Sequence, residues 1–348
     1  MQIKIGQKTI GDGKPALIIA EAGVNHNGDL DLAKKLIRAA KEAGADVIKF
    51  QTFITEEVVT KEAPLVAYQK SSSGGSCTQF EMLKALELDQ KAHEDLHAYA
   101  RRIGIVFLST PDDRHSVKLL AGLRVPAFKI GSSDLTNIPF LTYVAAHRKP
   151  MILSTGMGTL REVQEAVRSI QRTAKVPLVL LHTSTRYPCP LDEVNMRAMV
   201  TMRQTCNVLV GYSDHTAGVS AAMAAVSLGA CVIEKHLTLD RRLPGPDHKA
   251  SYEPDEFKVF VQLIREIETC LGSACKQPTP QEKKDIPFIR KSIIARVDIP
   301  KGTVLNDEHL AVKRPQKGAL PKELPLLIGK RVTRAISKDT PIRKKDVR

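Results

Sequence analysis

The chain has 348 residues, 26% of them charged and 43% hydrophobic, with aromatics at 4% and no tryptophan. These are ordinary globular proportions, which exclude wholesale disorder and require a core of aliphatic side chains and alanine. The net charge of +14 is unevenly placed, with 19 Lys/Arg against 8 Asp/Glu from Lys276 onward. That stretch offers almost no aromatic ring to stack on bases and scatters its charges. It argues against a nucleic-acid partner and fits a face that attracts phosphorylated or carboxylated small molecules.

In chain order, the first residues alternate polar and apolar and lack the apolar run of a secretion signal. Residues 1–15 read as a hairpin, with a strand at 2–5 and a turn at Gly11-Asp12-Gly13, placed to plug one end of a larger fold. From 16 to 270 one theme repeats: a short β-rich apolar run, a polar loop, an amphipathic helix. Strand candidates fall at 16–22, 46–52, 105–110, 127–132, 150–155, 178–183, 208–213 and 231–236. Helical periodicity falls at 31–43, 90–102, 160–173, 217–228 and 255–271. Thr159 followed by Glu162 fits a capping box, and Gly44 and Gly104 stand where helices should stop.

Eight strands alternating with helices predict parallel pairing, and eight is the number that closes a barrel. A doubly wound open sheet would carry a glycine-rich phosphate fingerprint after its first strand, and this chain has none. The expected fold is therefore α/β, a (β/α)8 TIM barrel over residues 1–276. Residues 53–89 are long for a βα loop and read as a lid or binding loop, with a mobile serine-glycine run at 71–76. The uncharged run 216–233 nearly reaches bilayer-spanning length, but it is rich in Ala, Ser and Gly and breaks at Gly229. It reads as a buried helix and strand, with no membrane partner. The six cysteines show no C-x-x-C spacing, which predicts free buried thiols in a reducing, cytoplasmic setting. Residues 277–289 read as a Pro-containing linker. Beyond it, β-like pieces at 292–297, 310–314, 330–336 and 341–347 predict a small β-rich domain over 290–348.

Barrel enzymes place their sites at the C-terminal ends of the strands. There this sequence puts Glu21, then Lys49 and Gln51, Thr110, Lys129 with Ser132 and Asp134, and Ser154. Ser213 with His215 and Glu234 with His236 complete the ring. Lys49 and Gln51 share one strand face, leaving Ile48 and Phe50 to pack on helices. A merely polar upper layer explains one such residue but not a ring of them, because burying that many polar groups is costly. Lys49 and Lys129, with the hydroxyls of Ser132, Ser154 and Ser213, make a pocket for phosphate and carboxylate. His215 and His236 come from adjacent strands and suit a divalent ion that keeps open positions. A Schiff base on Lys49 is the rival, but beside a phosphate pocket a lysine is more simply a charged clamp.

Long stretches in order carry a family resemblance: 20–28 (AEAGVNHNG), 47–52 (VIKFQT), 153–157 (LSTGM), 187–190 (YPCP), 211–216 (GYSDHT), 233–240 (IEKHLTLD) and 243–251 (LPGPDHKAS). The chain resembles the bacterial N-acetylneuraminate (sialic acid) synthase family, which includes legionaminate and pseudaminate synthases. Through 290–292 (RKS), 299–302 (IPKG) and 312–315 (VKRP), its tail resembles the SAF, or antifreeze-like, domain of that family. The resemblance implies condensation of phosphoenolpyruvate with an open-chain N-acetylated aminosugar and release of phosphate. N-acetylmannosamine would give N-acetylneuraminate. A 2,4-diacetamido-2,4,6-trideoxyhexose, giving legionaminate or pseudaminate, or a phosphorylated aminosugar, is the alternative.

The resemblance also implies roles. Lys49, Thr110, Lys129, Ser132, Ser154 and Ser213 would hold phosphoenolpyruvate, and His215 and His236 would bind Mn²⁺ or Mg²⁺. Gln51, Ser72, Tyr187 and Asp247, with Glu21, would orient the sugar. Glu21, Asp134, His215 and His236 would act in catalysis, and Arg314 would arrive from the partner of a domain-swapped homodimer. Three departures stand out: Asp134 where relatives carry Glu after a Ser-Gly pair, Ser72-Ser73-Gly74 for Asn-Thr-Gly, and Ser184 for Asn. Asp134 has a plainer reading as a cap for the turn at 136–139. A carbohydrate- or ice-binding module built on the tail is the rival of another class. It predicts no phosphate release and leaves the strand-end ring unexplained.

Overall fold

The chain opens with a short antiparallel hairpin in which β1 (Gln2–Ile5) pairs with β2 (Lys8–Gly11). The computed structural model describes residues 1–65 and 78–348. They divide into two units, Met1–Gly272 and Ser273–Arg348. In the first, eight strands run parallel: β3 (Leu17–Gly23), β4 (Val47–Thr52), β5 (Val106–Pro111) and β6 (Phe128–Ile130), then β7 (Met151–Ser154), β8 (Leu178–His182), β9 (Leu209–Asp214) and β10 (Val232–His236). The last strand pairs with the first, Val232 opposite Leu17 and His236 opposite Glu21. β5 and β6, the two ends of the hydrogen-bonded order, lie against each other. The sheet is thus closed in sequence order, with helices between strands, as the (β/α)8 reading expects.

The two-residue period of a strand sorts side chains between inside and outside. Ile18, Ile48, Phe50, Phe128, Leu153, Val210 and Ile233 pack outward on helices such as Leu30–Glu42 and Leu160–Thr173. Leu17, Ile19, Val47, Leu108, Ala127, Ile152, Val179, Leu181, Leu209 and Val232 point inward and fill the lower barrel. Ile5 and Ile10 of the hairpin join this inner cluster, so the hairpin plugs the barrel bottom. The interior leaves no slack at Gly211, where an added Cβ would come within 2.4 Å of the Val232 carbonyl oxygen. The local signals hold as well. Thr159 and Glu162 form a reciprocal capping box, and Gly104 ends its helix in the left-handed region. Residues 216–233 form a helix, Ser220–Ser227, and the start of β10, and no helix among the described residues is long and apolar enough to cross a membrane.

Four details differ from the sequence reading. The hairpin turns at Gly6 and Gln7, not at Gly11-Asp12-Gly13: Ile5 pairs with Lys8, leaving a two-residue loop with Gly6 at φ +58°. Such loops demand positive φ, which glycine supplies freely. Of the cysteines described, Cys270 and Cys275 are exposed and Cys206 is half-buried, though all are free thiols. The expected linker contains a helix, Pro280–Ile289, capped by Thr279 and Glu282 with Pro280 in its first turn. Only two of the expected tail pieces form paired strands, β11 (Ser292–Ala295) with β12 (Leu310–Lys313). Those at 330–336 and 341–347 contribute single bridges. The second unit nonetheless has its own apolar cluster, with Ile293, Ile299, Leu310, Val332, Ile336 and Ile342 buried. The serine-glycine run 71–76, with Ser72, lies outside the described residues.

Because Ile10 is only 1% exposed and seals the inner cluster from below, Ile10→Ala should leave a cavity that the barrel cannot close. The expected loss is about 2–5 kcal/mol of stability, read as a lowered urea midpoint with the same native circular dichroism.

Candidate active site

At the C-terminal ends of the strands the inner side chains become polar, and they line one cavity of about 1040 Å³. At its floor the amines of Lys49 (β4) and Lys129 (β6) meet the carboxylates of Glu21 (β3) and Glu234 (β10). The Lys49 Nζ lies 2.7 Å from Glu21 and 3.8 Å from Glu234, and that of Lys129 lies 3.6 Å from Glu234. Lys49 donates to Thr110 Oγ1 at 3.0 Å, Lys129 to Ser154 Oγ at 2.7 Å, and Ser213 Oγ to Glu234 at 2.8 Å. All four charged side chains are at most 5% exposed.

The two carboxylates are driven apart. Burial pushes Glu21 above the usual carboxylate range, with Lys49 pulling against it. Glu234 bears the same burial, but the ammoniums of Lys129 and Lys49 and the Ser213 hydroxyl together draw it below that range. Burial lowers Lys129, while Lys49, though equally desolvated, is held above its ordinary value by Glu21 and Glu234. Divergent environments for paired acids mark one as a proton holder and the other as a fixed charge.

Beside this floor stand His215, just after β9, and His236, the last residue of β10, with ring centroids 5.4 Å apart. Burial holds His215 down to about 4, and burial together with His215 holds His236 well below its ordinary value, so both imidazoles are neutral at pH 7. Tyr187 stacks on His215 at 4.0 Å and its hydroxyl lies 2.9 Å from His215 Nε2. His236 Nδ1 is buried without a hydrogen-bond partner and sits 3.9 Å from Asp247. Neutral imidazoles and an orphaned ring nitrogen fit a divalent cation. Among the described residues no group of three or more His, Cys, Asp or Glu is gathered to hold a metal. The protein would therefore give such an ion two nitrogens and leave its other positions open.

The wall on the β6 side carries Ser132, whose Oγ accepts from the Gly156 N–H at 3.0 Å, and Asp134. Asp134 does bond the turn, taking the Asn137 amide at 2.8 Å, and Asn137 in turn caps helix Ile138–Ala145. It also faces the cavity, and burial raises its carboxyl. Gln51, Tyr187 and Asp247 complete the lining, and burial pushes Asp247 up to about 6. The barrel thus assembles every expected site residue of the first unit that is described. Ser72 lies outside the described residues, and Arg314 is an exposed residue of the second unit.

Three features were not assigned a site role from the sequence. Glu234 stood in the strand-end ring without a role, two residues before His236 on the same strand face. Asp112, two residues past Thr110, also lines the cavity, and burial with the nearby Asp134 carboxyl pushes it up to about 7. Met82, Leu83 and Leu86 of a helix, Gln79–Leu86, inside the long loop supply an apolar wall together with Val24.

Residues 36–276 match the NeuB family and residues 290–348 match the SAF domain. N,N'-diacetyllegionaminic acid synthase of Campylobacter jejuni is 45% identical over 95% of this chain and 99% of its own. Human N-acetylneuraminate-9-phosphate synthase is 37% identical over 96% of this chain and 93% of its own. The crystal structure of N-acetylneuraminic acid synthetase from Leptospira borgpetersenii, in complex with citrate, superimposes with a TM-score of 0.74 at 34% identity. It covers 82% of this chain and 95% of that one.

Glu234 screens two lysines that would otherwise repel each other. Glu234→Gln should lower the melting temperature in phosphate-free buffer, because removing one partner of a buried pair leaves charge uncompensated. Added phosphate should restore it, and calorimetry should find tighter phosphate binding than in wild type.

Proposed function

Because the chain belongs to the NeuB family and ends in a SAF domain, we propose that it condenses phosphoenolpyruvate with the open-chain aldehyde of an N-acetylated aminosugar, releasing phosphate. One observation carries the reading. Two buried ammoniums, each bonded to a hydroxyl, share a cavity with two neutral imidazoles. The first pair suits the phosphate and carboxylate of the enol ester, and the second suits a Lewis-acid site for the aldehyde.

In this reading Lys49, Thr110, Lys129, Ser132, Ser154 and Ser213 hold phosphoenolpyruvate. A Mn²⁺ or Mg²⁺ ion held by His215 and His236 would polarise the aldehyde oxygen. C3 of the enol attacks the aldehyde carbon, and the electron deficit left at C2 is stabilised by its phosphate-bearing oxygen. Water adds to C2, and the tetrahedral adduct expels phosphate as the C2 carbonyl forms. Glu21 and Asp134, both raised by burial, are suited to carry protons to the new hydroxyl and from the attacking water. Gln51, Tyr187 and Asp247 orient the sugar.

N-acetylmannosamine, giving N-acetylneuraminate, is the first reading of the sugar. The second, a 2,4-diacetamido-2,4,6-trideoxyhexose, is favoured by the higher identity to the legionaminic acid synthase and by the apolar wall of Val24, Met82, Leu83 and Leu86. A phosphorylated sugar is disfavoured. Beyond the two floor lysines, the only cation among the described lining residues is Arg186, which is already paired with Glu193.

Phosphate release from phosphoenolpyruvate, measured with each of these sugars, tests the reaction. An unphosphorylated sugar should support turnover, chelation should abolish it, and Mn²⁺ should restore it. Full activity after exhaustive chelation would defeat the metal role. We also propose that the enzyme is a domain-swapped homodimer in which Arg314 completes the partner's site, its planar donor fork bonding the N-acetyl carbonyl. Arg314→Ala should raise KM for the sugar far more than for phosphoenolpyruvate. Mixed with His236→Ala subunits, it should regain activity as heterodimers form with one intact site. No recovery in proven heterodimers would place the arginine elsewhere.

A further inference from the structure

The outer faces of β9 and β10 carry a second buried charge pair that takes no part in the chemistry above. Lys235 and Asp214 stand opposite each other in register, both side chains fully buried, with Nζ and Oδ2 3.1 Å apart. Asp214 Oδ1 accepts from the Thr216 N–H at 2.9 Å and its hydroxyl at 2.8 Å. The Lys235 amine also donates to the Thr216 carbonyl and lies 4.5 Å from the centre of the Tyr252 ring. Tyr252 closes the loop: its hydroxyl donates to the Ala217 carbonyl at 3.3 Å and its N–H to the His236 carbonyl at 2.9 Å.

Packing alone does not call for this arrangement. One step earlier on the same faces stand Tyr212 and Ile233, both in the helix-packing apolar cluster. An apolar pair would fill the next step without desolvating two charges, and such replacements are commonly neutral or stabilising. What buried ions add in some proteins, and alkyl groups do not, is a fixed register. Here the register concerns two specific residues. His215 lies between Asp214 and Thr216, both tied into the network, and His236 follows Lys235 and is bonded to Tyr252.

We propose that the Asp214–Lys235 pair, with Thr216 and Tyr252, is a buckle that sets the separation and orientation of His215 and His236 for a divalent ion. These are positioning residues: they touch neither substrate nor metal. The inference rests on the reading of those histidines as metal ligands and adds the device that spaces them. Removing it lets the two strand ends move independently. The ion then meets a floppier pair of nitrogens, while the two floor lysines, on β4 and β6 and bonded to Thr110 and Ser154, keep their places.

The test uses the full-length chain stripped of metal, titrated calorimetrically with Mn²⁺ in a non-coordinating buffer, and separately with phosphate. Lys235→Met keeps the chain length and the contact with Tyr252 but removes the charge. Asp214→Asn combined with Lys235→Met removes both charges, avoids an unpaired buried carboxylate, and serves if the single variant fails to fold. Both variants should bind Mn²⁺ about 10–100-fold more weakly, the range for supporting groups behind metal ligands, with phosphate affinity unchanged. The electron paramagnetic resonance lines of bound Mn²⁺ should broaden as its surroundings become heterogeneous. Unchanged Mn²⁺ affinity in the folded double variant overturns the buckle. So does a parallel loss of phosphate affinity, which would mark a general collapse. Wild-type protein that takes up no Mn²⁺ would overturn the metal reading itself, and the buckle with it.

Discussion

Two ammoniums and two carboxylates share one water-poor floor, and the barrel is organised around keeping them there. Each ion alone would cost several kcal/mol to desolvate, so the four are tolerable only as a compensated set with short, well-aimed contacts. The contacts exist because Glu21, Lys49, Lys129 and Glu234 come from strands that converge on one axis. Beneath them the inner layer is aliphatic, and the hairpin isoleucines close the bottom. That seal keeps water from entering from below and screening the floor. Low dielectric therefore strengthens both the internal compensation and any anion that later takes its place.

An arriving anion has to compete with the resident carboxylates, and the two are unequally placed to yield. Glu234 answers to two lysines and a serine hydroxyl, whereas Glu21 is paired with one lysine. A multiply charged phosphate at the lysines raises the local negative potential. Of the two, Glu21 is already above the carboxylate range and is the better suited to hold a proton there.

Much of this was legible because a strand has a period of two. Once Lys49 and Gln51 are read as sharing a face, the same rule reaches Glu234 and His236, and the cavity contains all four. What escaped did so for physical reasons. Asp112 and the apolar wall of helix Gln79–Leu86 belong to connections, where no periodicity ties a residue to the axis. The hairpin turn was misplaced because two glycine-containing turns lie five residues apart, and register rather than composition chooses between them. Helix Pro280–Ile289 had a full N-terminal signal in Thr279, Pro280 and Glu282, which the prolines on either side of Thr279 outweighed.

The same alternation explains why β9 and β10 carry polar residues on both faces at their upper ends. Lower down they obey the simple rule, apolar inside and apolar against the helices. Near the site, Ser213, Glu234 and His236 turn inward while Asp214 and Lys235 turn outward. A one-residue slip would exchange these sets, placing an ion pair in the cavity and a carboxylate and imidazole against helices. Neither misplaced set would find its partners there, so the alternative register is penalised on both faces at once. Two charged faces on one pair of strands are therefore a mutual constraint. Each fixes the other's position, and the histidines at the strand ends receive the result.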